Sequence, residues 1–218
     1  MQRQRPWVRL KAAASLDGRT ALPNGASQWI TGEAARTDGH AWRRRAGAVL
    51  TGVGTLTHDD PRLDVRLVPT ARQPLRVVLD SNLSAPLGAR VFQSAGSTLV
   101  YAAQPDAERL EAFTAHGIEV VLAAGAGGRV DLAAVLTDLA QRGINELHVE
   151  AGAQLNGAFV RERLVDEYLI YLAPKLLGPG LDMAAVGALT ELSQAAELRF
   201  HRIERVGHDL RILARPIP

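Results

Sequence analysis

The chain has 218 residues, 47% of them hydrophobic and 22% charged, with 25 basic and 23 acidic side chains and a formal net charge of +2. That is apolar material for a sizeable core, and a charge balance too even for a polyanion-binding surface. Cysteine is absent, which excludes disulfides and thiolate metal sites. No basic tail, zinc-finger spacing or aromatic-glycine motif points to nucleic acid. The amino terminus lacks a continuous apolar stretch, and no apolar run reaches the roughly 20 residues of a spanning helix. The expectation is a cytoplasmic protein with neither nucleic acid nor membrane as partner.

In chain order, residues 7–15 read as a strand, with Val8, Leu10 and Ala12 on one face, Arg9 and Lys11 on the other, and a turn at Asp17-Gly18. A helix is expected over 31–46, with Thr31 as its N-cap. Residues 48–51 form a short buried strand, followed by a glycine-bearing loop, GVGTLTHDDP. Further strands fall at 75–80, 98–102 and 119–122, with a helix over 106–115. An amphipathic helix over 131–142 leads to a strand at 146–150 that opens onto Gly152. A helix over 154–163 and a strand over 167–173 follow, and 199–206 with 210–214 alternate about Gly207-His208 as an antiparallel hairpin. This order predicts an α/β fold with a mostly parallel sheet and an antiparallel edge. A single domain over 1–218 is expected, since AAGAGGR at 123–129 reads better as a loop than as a boundary.

Three constellations carry chemistry. In VEAGAQLNGAF, Glu150 ends a buried strand and Gly152 and Gly157 bracket a helix start; its first N–H groups suit a phosphate, although a plain β-α turn reads the same way and GxGxxG is not met. In GVGTLTHDDP and the residues after it, glycines permit close backbone approach and Arg66 suits a bidentate phosphate contact, against an ordinary Asx-Pro turn with solvated charges. Finally, only Lys11 and Lys175 are lysines among the 25 basic residues. A compact ammonium on a strand among alanines suits a chemical role, and a snorkelling surface lysine is the other reading. Arg43-Arg44-Arg45 reads as a solvated helix face.

LKAAASLDGRTA, SQWITGEAAR, GVGTLTHDDPRL with its trailing VR, VVLDS, LHVEAG and YLAPKLLG occur in that order over about residues 6–215. Together they resemble the reductase domain of the bifunctional pyrimidine deaminase/reductase of riboflavin biosynthesis. The resemblance implies a dihydrofolate-reductase-like fold, with a mostly parallel central sheet, helices on both faces and a C-terminal antiparallel hairpin. It implies NADPH-dependent reduction of 5-amino-6-(5-phosphoribosylamino)uracil to the ribitylamino compound, by hydride transfer to ribose C1′, and a homodimer. NADPH contacts would fall at Ala13, Trp29, Thr55, Asp59, Ser81 and the run Gly152, Ala153, Gln154, Leu155, Asn156, Gly157 and Ala158. The phosphoribosylaminopyrimidine would meet Ser27, Arg43, Leu63, Arg66 and Glu150. Lys11, Asp59 and Glu150 are the catalytic candidates, with Lys11 nearest the reacting carbon.

One departure is Asp64, where the family pattern has threonine; a carboxylate beside a phosphate site is unfavourable unless it points away. The deaminase half needs a zinc site with cysteine ligands, so that activity would come from another chain or a missing domain. The six histidines show no ligand spacing, and no catalytic metal is expected. Three other functions fit the residues: reduction of the undeaminated diaminopyrimidine, an orphan reductase of the same fold, and a nucleotide-binding module without turnover.

Overall fold

Short runs rich in β-branched and leucine side chains become strands, and those at 48–52, 75–79 and 98–102 are buried on both faces. In the computed structural model, which describes residues 4–217, the elements in chain order are β1 (Trp7–Ser15), β2 (Arg19–Ala21), α1 (Glu33–Arg45), β3 (Ala48–Gly52), α2 (Val53–Asp59), β4 (Leu75–Leu79), α3 (Arg90–Gln93), β5 (Thr98–Ala102), α4 (Ala107–Ala115), β6 (Glu119–Leu122), α5 (Leu132–Gln141), β7 (Glu146–Val149), α6 (Ala153–Arg161), β8 (Glu167–Ala173), β9 (Leu181–Asp182), β10 (Leu198–Val206) and β11 (Asp209–Pro216). Two compact units are distinguished, one containing Trp42–His148 and the other Trp7–Ala41 with Val149 onward.

In the first unit the strands run β7-β3-β4-β5-β6, with β3, β4, β5 and β6 parallel and in continuous register from Ala48↔Leu75 to Ala102↔Leu122. Val49, Val78, Val100, Leu56, Leu63, Leu83, Val91 and Phe113 form its core. Near-continuous apolar strands are what a parallel sheet covered on both faces requires. Buried Arg76 directs its guanidinium to Thr98 Oγ1 and to the carbonyls of Ser94, Ala95 and Gly96, and burial pulls its pKa down. Helices α4 and α5 start at Asp106 and Asp131, whose carboxylates accept the N–H of Arg109 and Ala134.

In the second unit β8 lies between parallel β1 and antiparallel β11, and β10 completes the edge. Arg9, expected on the polar face of β1, is buried there: its guanidinium meets Glu167 Oε1 at 2.8 Å while Arg215 holds Oε2 at 2.9 Å. Gly207, at φ +64, makes the hairpin turn.

Three expectations need correction. Helix α1 starts at Glu33, not Thr31: the Gly32 N–H is held by the Asp209 carboxylate at 2.8 Å, and Arg36 N donates to Gly32 O. That cap arrives from 177 residues away, beyond the reach of local pattern. GVGTLTHDDP is no loop; Gly52 is the N-cap of α2, and Asp60 in the left-handed region closes it. Strands β2 and β9, paired antiparallel, were not expected at all.

Candidate active site

Alternation along β1 puts Lys11 and Ala13 on one face, opposite Leu169 and Tyr171 of parallel β8. Glu150, the first residue beyond β7, brings its carboxylate to 3.7 Å from Lys11 Nζ; the two side chains are 25% and 14% exposed. That separation exceeds a hydrogen bond, so charge holds the ammonium without fixing its direction. Two of the three catalytic candidates are thereby brought together. Next to Ala13, the Tyr171 hydroxyl donates to Asp38 of α1 at 2.5 Å. Arg211 donates to both Asp38 oxygens at 2.8 Å and also pairs with Glu204. Burial first, then the hydrogen bond to Asp38, pushes the Tyr171 phenol far up, and the Glu150 charge adds to this; Tyr171 stays neutral. Sequence reading missed Tyr171, Asp38 and Arg211. Their only signal was a tyrosine in an apolar strand and an aspartate within a helix.

Two residues after Glu150, extended Gly152 starts α6 without a side-chain cap. The first helical N–H groups have no partner inside a helix, and their partial positive charge favours an anion. Gly152 and Gln154 are exposed, and Ala153, Leu155 and Ala158 are partly so. Asn156 and Gly157 are turned to protein instead. Asn156 Nδ2 donates to Ala151 O at 3.0 Å and Met183 O at 2.8 Å. A Cβ added at Gly157 would lie 2.1 Å from Ala185 O. Ala185 N also donates to Ala153 O, and Arg161 to Ala185 O, so residues 183–185 are strapped onto α6. Within this turn the buried Oδ1 of Asn156 finds no donor among the described residues. An uncapped helix start of this kind suits an anionic group such as a pyrophosphate.

Trp29 is 60% exposed. The Arg36 guanidinium lies 4.4 Å from its ring centre, and Lys175 Nζ donates to its carbonyl at 2.9 Å. Ser27, half-buried in the same loop, accepts the Ile30 N–H through its carbonyl.

The remaining candidates belong to the other unit. Thr55 is partly buried in α2, and exposed Asp59, the last residue of α2, meets His58 Nδ1 at 2.8 Å. Leu63 has φ +53 and its side chain is in the core, so only its backbone is available to a ligand. The Asp64 carboxylate does not point away: it meets Arg66 at 2.6 Å and Arg62 at 3.3 Å, and Arg43 donates to its backbone carbonyl at 3.0 Å. Ser81, after buried Asp80, accepts the N–H groups of Ala103 and Gln104 through its carbonyl. Among the described residues no group of three His, Asp or Glu side chains is placed to hold a metal, and no helix is long and apolar enough to cross a membrane.

The fold is an α/β arrangement of the dihydrofolate-reductase type, shared with solved pyrimidine-reductase structures. Acinetobacter baumannii RibD superposes with a TM-score of 0.86 at 32% identity, over 99% of this chain and 59% of that one. A Thermotoga maritima diaminohydroxyphosphoribosylaminopyrimidine deaminase/5-amino-6-(5-phosphoribosylamino)uracil reductase gives 0.82 at 27% identity, over 98% and 57%. The RibD C-terminal domain family model matches residues 6–212, and the chain belongs to that family. Riboflavin biosynthesis protein RibD of Aquifex aeolicus is 35% identical over 95% of this chain, and that of Escherichia coli is 36% identical over 94%. The chain spans 57% and 58% of those two relatives.

Proposed function

We propose that this chain reduces 5-amino-6-(5-phosphoribosylamino)uracil to 5-amino-6-(5-phosphoribitylamino)uracil, with NADPH as the nicotinamide cofactor and the whole chain acting as one reductase domain in the cytoplasm. The observation that carries the reading is the Lys11–Glu150 pair, two residues before the uncapped start of α6. A bound nicotinamide would supply a hydride for ribose C1′ in its ring-opened imine form, the imine nitrogen taking a proton from solvent. Lys11 donates toward the departing ribose oxygen, because its ammonium is held by charge and keeps its directional freedom. Glu150 accepts hydrogen bonds from the sugar or pyrimidine and holds the Lys11 ammonium beside them by charge. Trp29 and the backbone at Gly152, Ala153 and Gln154 hold the cofactor, with Ala13, Thr55, Asp59 and Ser81 as further contacts. The ribose 5-phosphate is assigned to Arg43 and Arg66, with Ser27 and the Leu63 backbone as further substrate contacts. Deaminated substrate comes from a second catalytic site, on another chain or another part of a longer protein.

A homodimer belongs to the same reading. Along β8, β11 and β10 the register places Ile170, Ile212 and Ile203 in one row and Tyr168, Ala214 and Phe200 in the next. Phe200 and Ile203 are 66% and 51% exposed.

The test is NADPH oxidation by the purified chain, offered the deaminated and undeaminated phosphoribosylaminopyrimidines in parallel, with NADH as control. Turnover of the deaminated compound is expected. Turnover of only the undeaminated one reverses the substrate assignment, and silence with both despite NADPH binding leaves an orphan reductase of the same fold or a nucleotide-binding module.

A further inference from the structure

Lys11 enters the proposed chemistry; the second lysine, Lys175, does not, in a chain whose other 23 cationic side chains are arginine. Lys175 stands two residues beyond β8, and its backbone is fixed on both sides: its N–H donates to Ala173 O and its carbonyl accepts Leu16 N, each at 2.8 Å. Just after it, the Leu177 and Gly178 N–H groups close on the Asp17 carboxylate at 3.1 and 2.8 Å. From this rigid base the ammonium reaches the Trp29 carbonyl, 146 positions away in sequence, at 2.9 Å. Arg36 covers one face of the same indole and donates to Thr31 O at 2.9 Å. Trp29 is therefore fixed at its backbone and on one ring face, while 60% of the residue is left to solvent. Burial does not explain this arrangement, since an exposed indole gains little hydrophobic stabilisation. It suits a ring held ready for a planar partner.

We infer that Lys175 is a positioning residue: it sets the Trp29 loop so that the open part of the indole meets the planar ring system of the bound nicotinamide cofactor. The inference rests on the assignment of Trp29 to the cofactor. A short ammonium-to-carbonyl contact asks for a compact point charge with rotatable donors, which lysine supplies.

The experiment compares Lys175→Met, Lys175→Arg and Trp29→Phe with the parent protein. In the absence of cofactor, the Trp29 contribution to indole fluorescence anisotropy, taken as the difference from Trp29→Phe, should fall in Lys175→Met. The Kd for NADPH, and its KM where turnover is present, should rise about five- to tenfold with kcat within about twofold, and Lys175→Arg should recover only part of the affinity. Unchanged anisotropy together with unchanged Kd in Lys175→Met overturns the inference, as does a loss of affinity in Lys175→Met when Trp29→Phe binds normally. The anisotropy arm needs no turnover, so failure of the pyrimidine-reductase assignment and failure of the positioning role give different results.

Discussion

An ammonium 3.7 Å from a carboxylate is attracted to it, yet remains able to redirect a proton donor toward a substrate oxygen. Lys11→Met removes the donor while keeping the length of the side chain. Its kcat should fall by about 100-fold or more, with KM changed far less; a rate near the parent's would take Lys11 out of the mechanism. Lys11, on a strand among alanines, and Glu150, just beyond the end of β7, both stood out in the sequence by residue type. The Tyr171–Asp38–Arg211 network did not, since it joins segments that only the folded sheet and α1 bring together. Asp64 shows the same limit from the other side. Sequence identified it as an extra carboxylate, and the structure shows it bound to Arg66, a guanidinium assigned to the phosphate. Asp64→Thr should remove that competing carboxylate from beside Arg66 and lower KM for the phosphorylated substrate about threefold or more. The dephosphorylated compound should show no such gain, and an equal response of both compounds would detach Arg66 from the phosphate.

Element by element, the parallel strands were readable because a strand buried on both faces is a run of apolar residues. Helix α2 was hidden by Gly52 and Gly54, which read as loop residues although a glycine at the N-cap is ordinary. Strands β2 and β9 have three and two residues and pair across about 160 positions, so no local pattern announces them. They matter because the chain after β9 continues into the strap on α6. Gly157 is needed there for close approach, not for backbone freedom: any Cβ meets Ala185 O. Gly157→Val should lift residues 183–185 from the helix and lower Tm by several degrees. Because the strap also holds Ala153 O and Asn156 Nδ2, affinity for NADPH should weaken in the same variant. A stable Gly157→Val protein with parental affinity would show that the strap has no part in shaping the start of α6.

For the molecule as a whole, the question is what covers the apolar face of β8, β11 and β10. In sequence, alternating large apolar residues such as those of β8 look the same against a helix or a second subunit. In the structure Tyr168, Ile170 and Leu172 stay partly exposed while Leu169, Tyr171 and Ala173 are buried, so the two faces of β8 differ. Ile212 and Ile203 extend the row from Ile170 to the sheet edge, and exposed patches of this kind mark interfaces. A two-fold interface would bring identical rows together, so one substitution acts twice. Ile203→Glu places two carboxylates in the shared apolar centre and should weaken the dimer by about 30-fold or more, with the circular dichroism spectrum unchanged. Sedimentation velocity over a concentration series checks this: the parent chain should sediment as a dimer and Ile203→Glu as a monomer. A parent chain that is monomeric throughout, or a variant that dimerises as tightly as the parent, would remove this face from the assembly.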